Sequence, residues 1–279
     1  MDYLPLLAQR GISCVRDSQR YCFPPLCVRL TIKQHEGRSV ATLPTLVSAM
    51  AEVDGRDRKS VEHIGRVIRE AGYITSGKRG GGAPDMTPRE ATNLIIALNG
   101  ADLPKEAPVA IDRFRSLKQY YSGTAQSIQG YVDKYDHLPK PMQDAMDVHT
   151  FGEAIEALIE GVPDMVASFL QYYMQGYERD RDDALKHLLP MLRLGSFGVD
   201  VTFRRYSGLI EMFTMQGSDR RVEFEARFTH DPDRIDSDFY GRQWPDRKVQ
   251  STIGFYTLLT AWRTLNDEKA PLGIELDDK

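Results

Sequence analysis

The chain has 279 residues, 41% of them hydrophobic and 27% charged, with a formal net charge of −4, which suits about two domains with real cores. No stretch approaches roughly 18 consecutive apolar residues, so no membrane span is expected, and the short apolar start Met1–Ala8 lacks the leading basic charge of a secretory signal. Cys14, Cys22 and Cys27 are odd in number and crowded at one end, which argues against a disulfide framework. Their spacing makes no C-x-x-C knuckle even with His35 nearby, so they read as thiols in a reducing cytoplasm.

Residues 1–40 show no clear period and read as an irregular, disorder-prone extension. From Leu43 the spacing turns helical. Leu43, Leu46, Val47, Met50 and Ala51 share one face, and Asp54-Gly55 closes that helix. A second helix is expected over Arg58–Ala71, with Val61, Ile64, Val67, Ile68 and Ala71 inward and Gly72 at its C-terminal cap. Tyr73-Ile74 reads as a short strand, and Ser76 to Pro84 as a glycine-rich loop. Thr87-Pro88-Arg89-Glu90 combines an N-cap, a proline at the first helical position and a Glu at N3; it opens a helix that Asn99-Gly100 ends.

Residues 105–121 are expected to form a helix using Val109, Phe114, Leu117 and Tyr121, and 122–148 a linker broken by Pro139 and Pro141. A second capping box, Thr150-Phe151-Gly152-Glu153, starts an amphipathic helix, and 163–177 and 181–193 read as two more. The period then switches to two. Val199, Val201 and Phe203, then Leu209 to Met215, then Val222, Phe224, Ala226 and Phe228 predict a three-stranded antiparallel meander. An acidic loop at 230–247 precedes a last helix over 250–265, carrying Ile253, Tyr256, Leu259 and Trp262, and a polar tail follows.

The charge is unevenly spread. Residues 1–89 hold 14 Lys/Arg against 9 Asp/Glu, whereas 90–279 hold 22 against 31, a basic head on an acidic body. Within 55–89 there are eight basic and four acidic side chains. The second helix would turn Arg58, Lys59, Ser60, Glu62, His63, Arg66 and Arg69 to solvent. Arg and Lys pair with guanine edges, and Ser and His with base edges or phosphate. Lys78 and Arg79 sit among glycines that would let a loop approach phosphates closely.

This stretch, ending in Ala71-Gly72-Tyr73-Ile74 and continuing through Gly77-Lys78-Arg79-Gly80-Gly81-Gly82-Ala83-Pro84-Asp85-Met86-Thr87, resembles the recognition helix and wing of winged helix-turn-helix regulators. The wing is also similar to that of uncharacterised prophage-encoded proteins. The resemblance covers Leu43 to Pro88. It implies a winged helix-turn-helix module at 41–100. With the spacing of the remaining residues, the expected class is α+β, mainly helical, with a helix and linker at 101–148, an α+β domain for oligomerisation or partner binding at 149–268, and a tail at 269–279. The resemblance also implies double-stranded DNA as partner, a homodimer, no cofactor and no metal. The DNA-binding residues would be Arg58, Lys59, Ser60, His63, Arg66 and Arg69 on the helix, with Lys78 and Arg79 on the wing. The implied job is transcriptional regulation. A small-terminase-like or replication-associated protein is the alternative within DNA binding.

Other chemistries fit less well. Gly72 to Lys78 matches G-x-x-x-x-G-K, but Arg79 stands where a P-loop needs Ser or Thr, and the flanking elements are in the wrong order. Asp231, Asp233, Asp236 and Asp238 do not follow the EF-hand spacing; a metal-dependent nuclease built on Asp233 and Asp236 is a weaker alternative. No complete catalytic set stands out, and a protein-interaction module without DNA affinity is the remaining alternative.

Overall fold

The structure is a computed structural model that describes residues 41–76, 85–124, 140–174, 187, 190, 197–216, 218–230 and 250–266. The class is α+β. Helix α1 (Leu43–Asp54) begins with Pro44 in its first turn and ends at Gly55, whose φ of 76° only a residue without Cβ adopts freely. Helix α2 (Arg58–Glu70) follows at once, capped by Asp57. The two cross closely at Gly65, where a Cβ would lie 3.1 Å from a Val47 methyl.

Helix α3 (Pro88–Gly100) opens with the capping box read from the sequence, Thr87 and Glu90 each accepting the other's backbone N–H. It is buried on every side from Glu90 to Leu98, the condition of a helix at the centre of a fold rather than on its surface. A 3-10 turn (Pro104–Glu106) and α4 (Ala107–Arg115) follow, then α5 (Lys140–Asp147), α6 (Phe151–Glu160) and α7 (Val162–Met174). The Thr150 capping box opens α6 as expected.

The sheet has five antiparallel strands in the order β1-β4-β3-β2-β5. They are β1 (Lys118–Thr124), β2 (Phe197–Arg204), β3 (Ser207–Gln216), β4 (Asp219–Thr229) and β5 (Gln250–Gly254). The expected meander is its central part, and two flanking strands correct the three-stranded reading. The segment expected as one helix over 105–121 stops at Arg115. Ser116 Oγ donates to the carbonyls of Asp112 and Arg113, closing the last turn, and Tyr121 pairs with Arg227 on β4. The helix expected over 250–265 starts at Phe255 instead (α8, Phe255–Leu265), because residues 250–254 complete the sheet on β2. Tyr73-Ile74 forms a bend, not a strand. The linker expected at 122–148 holds the end of β1 and all of α5. Of the helix expected at 181–193 only His187 and Pro190 are described, both helical.

One hydrophobic cluster runs from Leu46 and Ile68 to Phe228 and Trp262, so the units expected at 41–100 and 149–268 share a core. Phe151 on α6 is its hub, with ring centroids 5.4 Å from Phe203 and 5.2 Å from Phe228; Phe203 in turn meets Phe114 edge-on at 5.3 Å. Each buried aromatic of this kind contributes about 1.5–3 kcal/mol by burial alone. Polar ties join the same layers. Ser251 Oγ donates to Asn99 Oδ1 at 2.6 Å, binding β5 to the end of α3. α1 and α8 lie against each other, which holds the N-terminal helices on the body.

Candidate nucleic-acid interface

The Asp57 carboxylate accepts the Lys59 backbone N–H at 2.8 Å and the Ser60 hydroxyl. The bond from Lys59 satisfies an orphan backbone donor of the first turn. The Ser60 bond above all, then that from Lys59, hold the Asp57 carboxyl below its ordinary value. Ser60 therefore spends its hydroxyl on the cap. Val61, Ile64, Gly65 and Ile68 face inward, Val67 is half-buried, and Ala71, expected in the core, is exposed.

Arg58, Lys59, Ser60, His63, Arg66 and Arg69 are all exposed. At 100° per residue, all but Ser60 share an arc of about 140° with Glu62 and Glu70. The carboxylates on that arc already engage two of its cations. Arg58 Nε donates to Glu62 Oε1 at 2.8 Å, and Arg66 lies 4.0 Å from Glu70 and 3.0 Å from the His63 ring nitrogen Nδ1. Lys59 and Arg69 make no ion pair among the described residues. Arg56, just outside the helix, is spent elsewhere: it pairs with Asp54 and donates to the Leu98 carbonyl at the end of α3.

At the other end of α2 the chain leaves through a Schellman turn. Gly72 N–H donates to the Arg69 carbonyl and Tyr73 N–H to that of Ile68, with Gly72 at φ 87°. Lys78 and Arg79 lie outside the described residues, but both ends of the segment that carries them are described. On the near side Thr75 N–H donates to Glu90 Oε1 at 2.7 Å; on the far side Thr87 N–H donates to Glu90 Oε2 at 2.9 Å. One buried carboxylate thus holds both ends. Burial pushes the Glu90 carboxyl up, but the donors from Thr75 and Thr87 outweigh it and leave it below its ordinary value. Met86 N–H also donates to the Ala41 carbonyl at 2.9 Å, fixing the far end to the residues that lead into α1. Ile74 and Met86 are buried on either side.

Sequence reasoning recognised Glu90 as half of a capping box but missed its bond to Thr75. No local signal marks a partner fifteen residues away. It likewise missed Arg115, whose Nη1 donates to Asn93 Oδ1 at 3.0 Å and whose Nη2 pairs with Glu156, while Asn93 Nδ2 donates to the Tyr73 carbonyl at 2.9 Å. This chain of bonds ties the exit of α2 through α3 and α4 to α6. The nuclease candidates Asp233 and Asp236, like Asp231 and Asp238, lie outside the described residues, as do Cys14, Cys22 and Cys27. Among the described residues no group of three or more His, Cys, Asp or Glu is placed to hold a metal ion, and no helix is long and apolar enough to cross a membrane. No family model, no curated protein and no solved structure matches the chain.

Proposed function

We propose that the chain is a sequence-specific binder of double-stranded DNA, a transcriptional regulator of the phage or prophage kind working as a homodimer, with α2 as recognition helix and residues 77–84 as a winged helix-turn-helix wing. The observation that carries this reading is the common frame. The exposed basic arc of α2 and both ends of the glycine-rich segment are fixed to the same body, through Gly65 against α1 and through Glu90 on α3. A helix that reads base edges needs a rigid footing, and a basic loop hinged beside it would supply the phosphate contacts that position it. Dimerisation follows from size, because a single small module buries too little surface for high specificity.

Selection of bound sequences from a random duplex pool at physiological salt tests the reading. Enrichment of one motif supports it. Replacing Lys78 and Arg79 by Ala should then weaken binding across all sequences and flatten its salt dependence, whereas Arg58→Ala or Lys59→Ala should change the preferred site. No salt-sensitive affinity for any duplex would sink it.

A further inference from the structure

A cleft with a volume of about 490 Å³ opens beside the exit of α2, lined by Tyr73, Arg89, Asn93, Asp112, Arg115 and Ser116. That size lies within the roughly 300–1,000 Å³ of small-molecule sites. The cations in it are arranged, not scattered. Arg89 and Asn93 are four residues apart on α3 and so neighbours on one face, and Arg115 reaches Asn93 from α4 at 3.0 Å. Arg89 and Arg115 thus line the same cleft, with the buried Asn93 amide. Arg115 is held in place by Asn93 and Glu156, which balances its charge. Arg89 is exposed and makes no ion pair among the described residues, which leaves its charge to face the cleft that it lines.

The other wall carries the opposite sign. Burial, then the neighbouring Asp112 carboxylate, push the Tyr73 phenol up to about 12. Asp112 therefore confines a ligand's negative charge to the arginine side. Ser116 has already committed its hydroxyl to the carbonyls of Asp112 and Arg113.

We propose that this cleft is an anion site that takes a phosphate group between Arg89 and Arg115. The Arg89 fork, together with the N–H donors that Arg115 has left beyond those to Asn93 and Glu156, matches a tetrahedral group with several acceptor oxygens better than a single halide or water. The phosphate comes from a free small ligand, such as a nucleoside monophosphate, or from a nucleic-acid backbone. The site itself does not depend on the DNA reading of α2, because Arg89 and Arg115 lie on α3 and α4.

Thermal melting of the full chain in inorganic phosphate or a nucleoside monophosphate, against chloride at equal ionic strength, tests this. Saturating phosphate should raise Tm by about 2–4 °C. The shift should vanish in Arg89→Ala, shrink in Arg89→Lys, and persist in the control Lys105→Ala on the 3-10 turn. A duplex titration then separates the sources. Weaker duplex binding by Arg89→Ala, with free phosphate competing, identifies a backbone phosphate; duplex binding untouched by Arg89→Ala, with the phosphate shift lost, identifies a free ligand. A chain that binds phosphate but no duplex keeps this site while the DNA reading fails. No shift beyond that in chloride, or an equal shift in wild type and Arg89→Ala, overturns the proposal.

Discussion

The carboxylate of Glu90 accepts the backbone N–H of Thr75 at 2.7 Å while its other oxygen accepts that of Thr87 at 2.9 Å. The same side chain caps α3 and closes the base of the glycine-rich segment. Glu90→Gln keeps the shape and one acceptor oxygen, and should cost about 1–3 kcal/mol, the range for losing a buried hydrogen bond to a charged group. The pH dependence has a definite sign. A carboxyl whose folded value is lowered contributes stability that is present above its ordinary 4.5 and is lost as pH falls through the folded value. Urea unfolding of wild type and Glu90→Gln should therefore differ most near neutrality and converge in acid. A gap that stays constant as the pH falls would show that the charge is irrelevant.

Gly72 stands at φ 87° in the Schellman turn, and a Cβ there would meet nothing within 4 Å. Gly72→Ala thus isolates backbone strain from crowding. It should destabilise by about 1–2 kcal/mol, the cost of a left-handed conformation for a residue with a Cβ. Gly72→Asn should recover part of the loss, because asparagine tolerates this region better. Equal melting midpoints for wild type and Gly72→Ala would show that the turn re-forms elsewhere.

Gly208 poses the opposite case. It pairs with Phe203 and Phe228 on its neighbouring strands, and a Cβ there would stand 2.7 Å from the Phe151 ring. The ring cannot yield, since Phe203 and Phe228 hold it from two sides. Gly208→Ala should cost about 1–3 kcal/mol through overpacking, measured by denaturant unfolding. A double variant, Gly208→Ala with Phe151→Leu, should lose less than the sum of the two single changes, because the smaller side chain relieves the clash.

What could be read ahead of the structure was local. The Thr87 and Thr150 boxes mark helix starts, and the glycines at 55 and 72 mark helix ends, within a few residues, and each lies where expected; the Asp57 cap was not read. The edge strands could not be read that way. Tyr121 faces Arg227, and Thr252 faces Thr202. Partners that far along the chain leave no periodic trace, and Leu117 and Tyr121 continue the helical spacing of Phe114 by coincidence. The candidate interface divides along the same line. Its exposed basic arc is visible in the spacing of α2. The bonds that brace it, Glu90 to Thr75 and Arg115 to Asn93, join separate segments and emerge only with the fold.

Glu62 decides how the basic arc behaves. Its carboxylate holds Arg58 at 2.8 Å on an exposed face, and a pair of this kind contributes only about 0.3–0.5 kcal/mol to the helix. If α2 lies against DNA, that carboxylate has one of two roles. As a competitor for Arg58 it repels phosphate, and Glu62→Gln should tighten binding to all duplexes by about two- to fivefold, the factor matching a surface ion pair of up to roughly 1 kcal/mol. As a reader it accepts from a cytosine amino group, and Glu62→Gln should weaken the selected site and relax preference at one base pair. The bond to Arg58 favours competition, because a carboxylate that already accepts a charged donor has less to offer a base. Titration of Glu62→Gln against the selected duplex and an unrelated one separates the two. A uniform gain in affinity bears out competition, and a loss confined to the selected site overturns it.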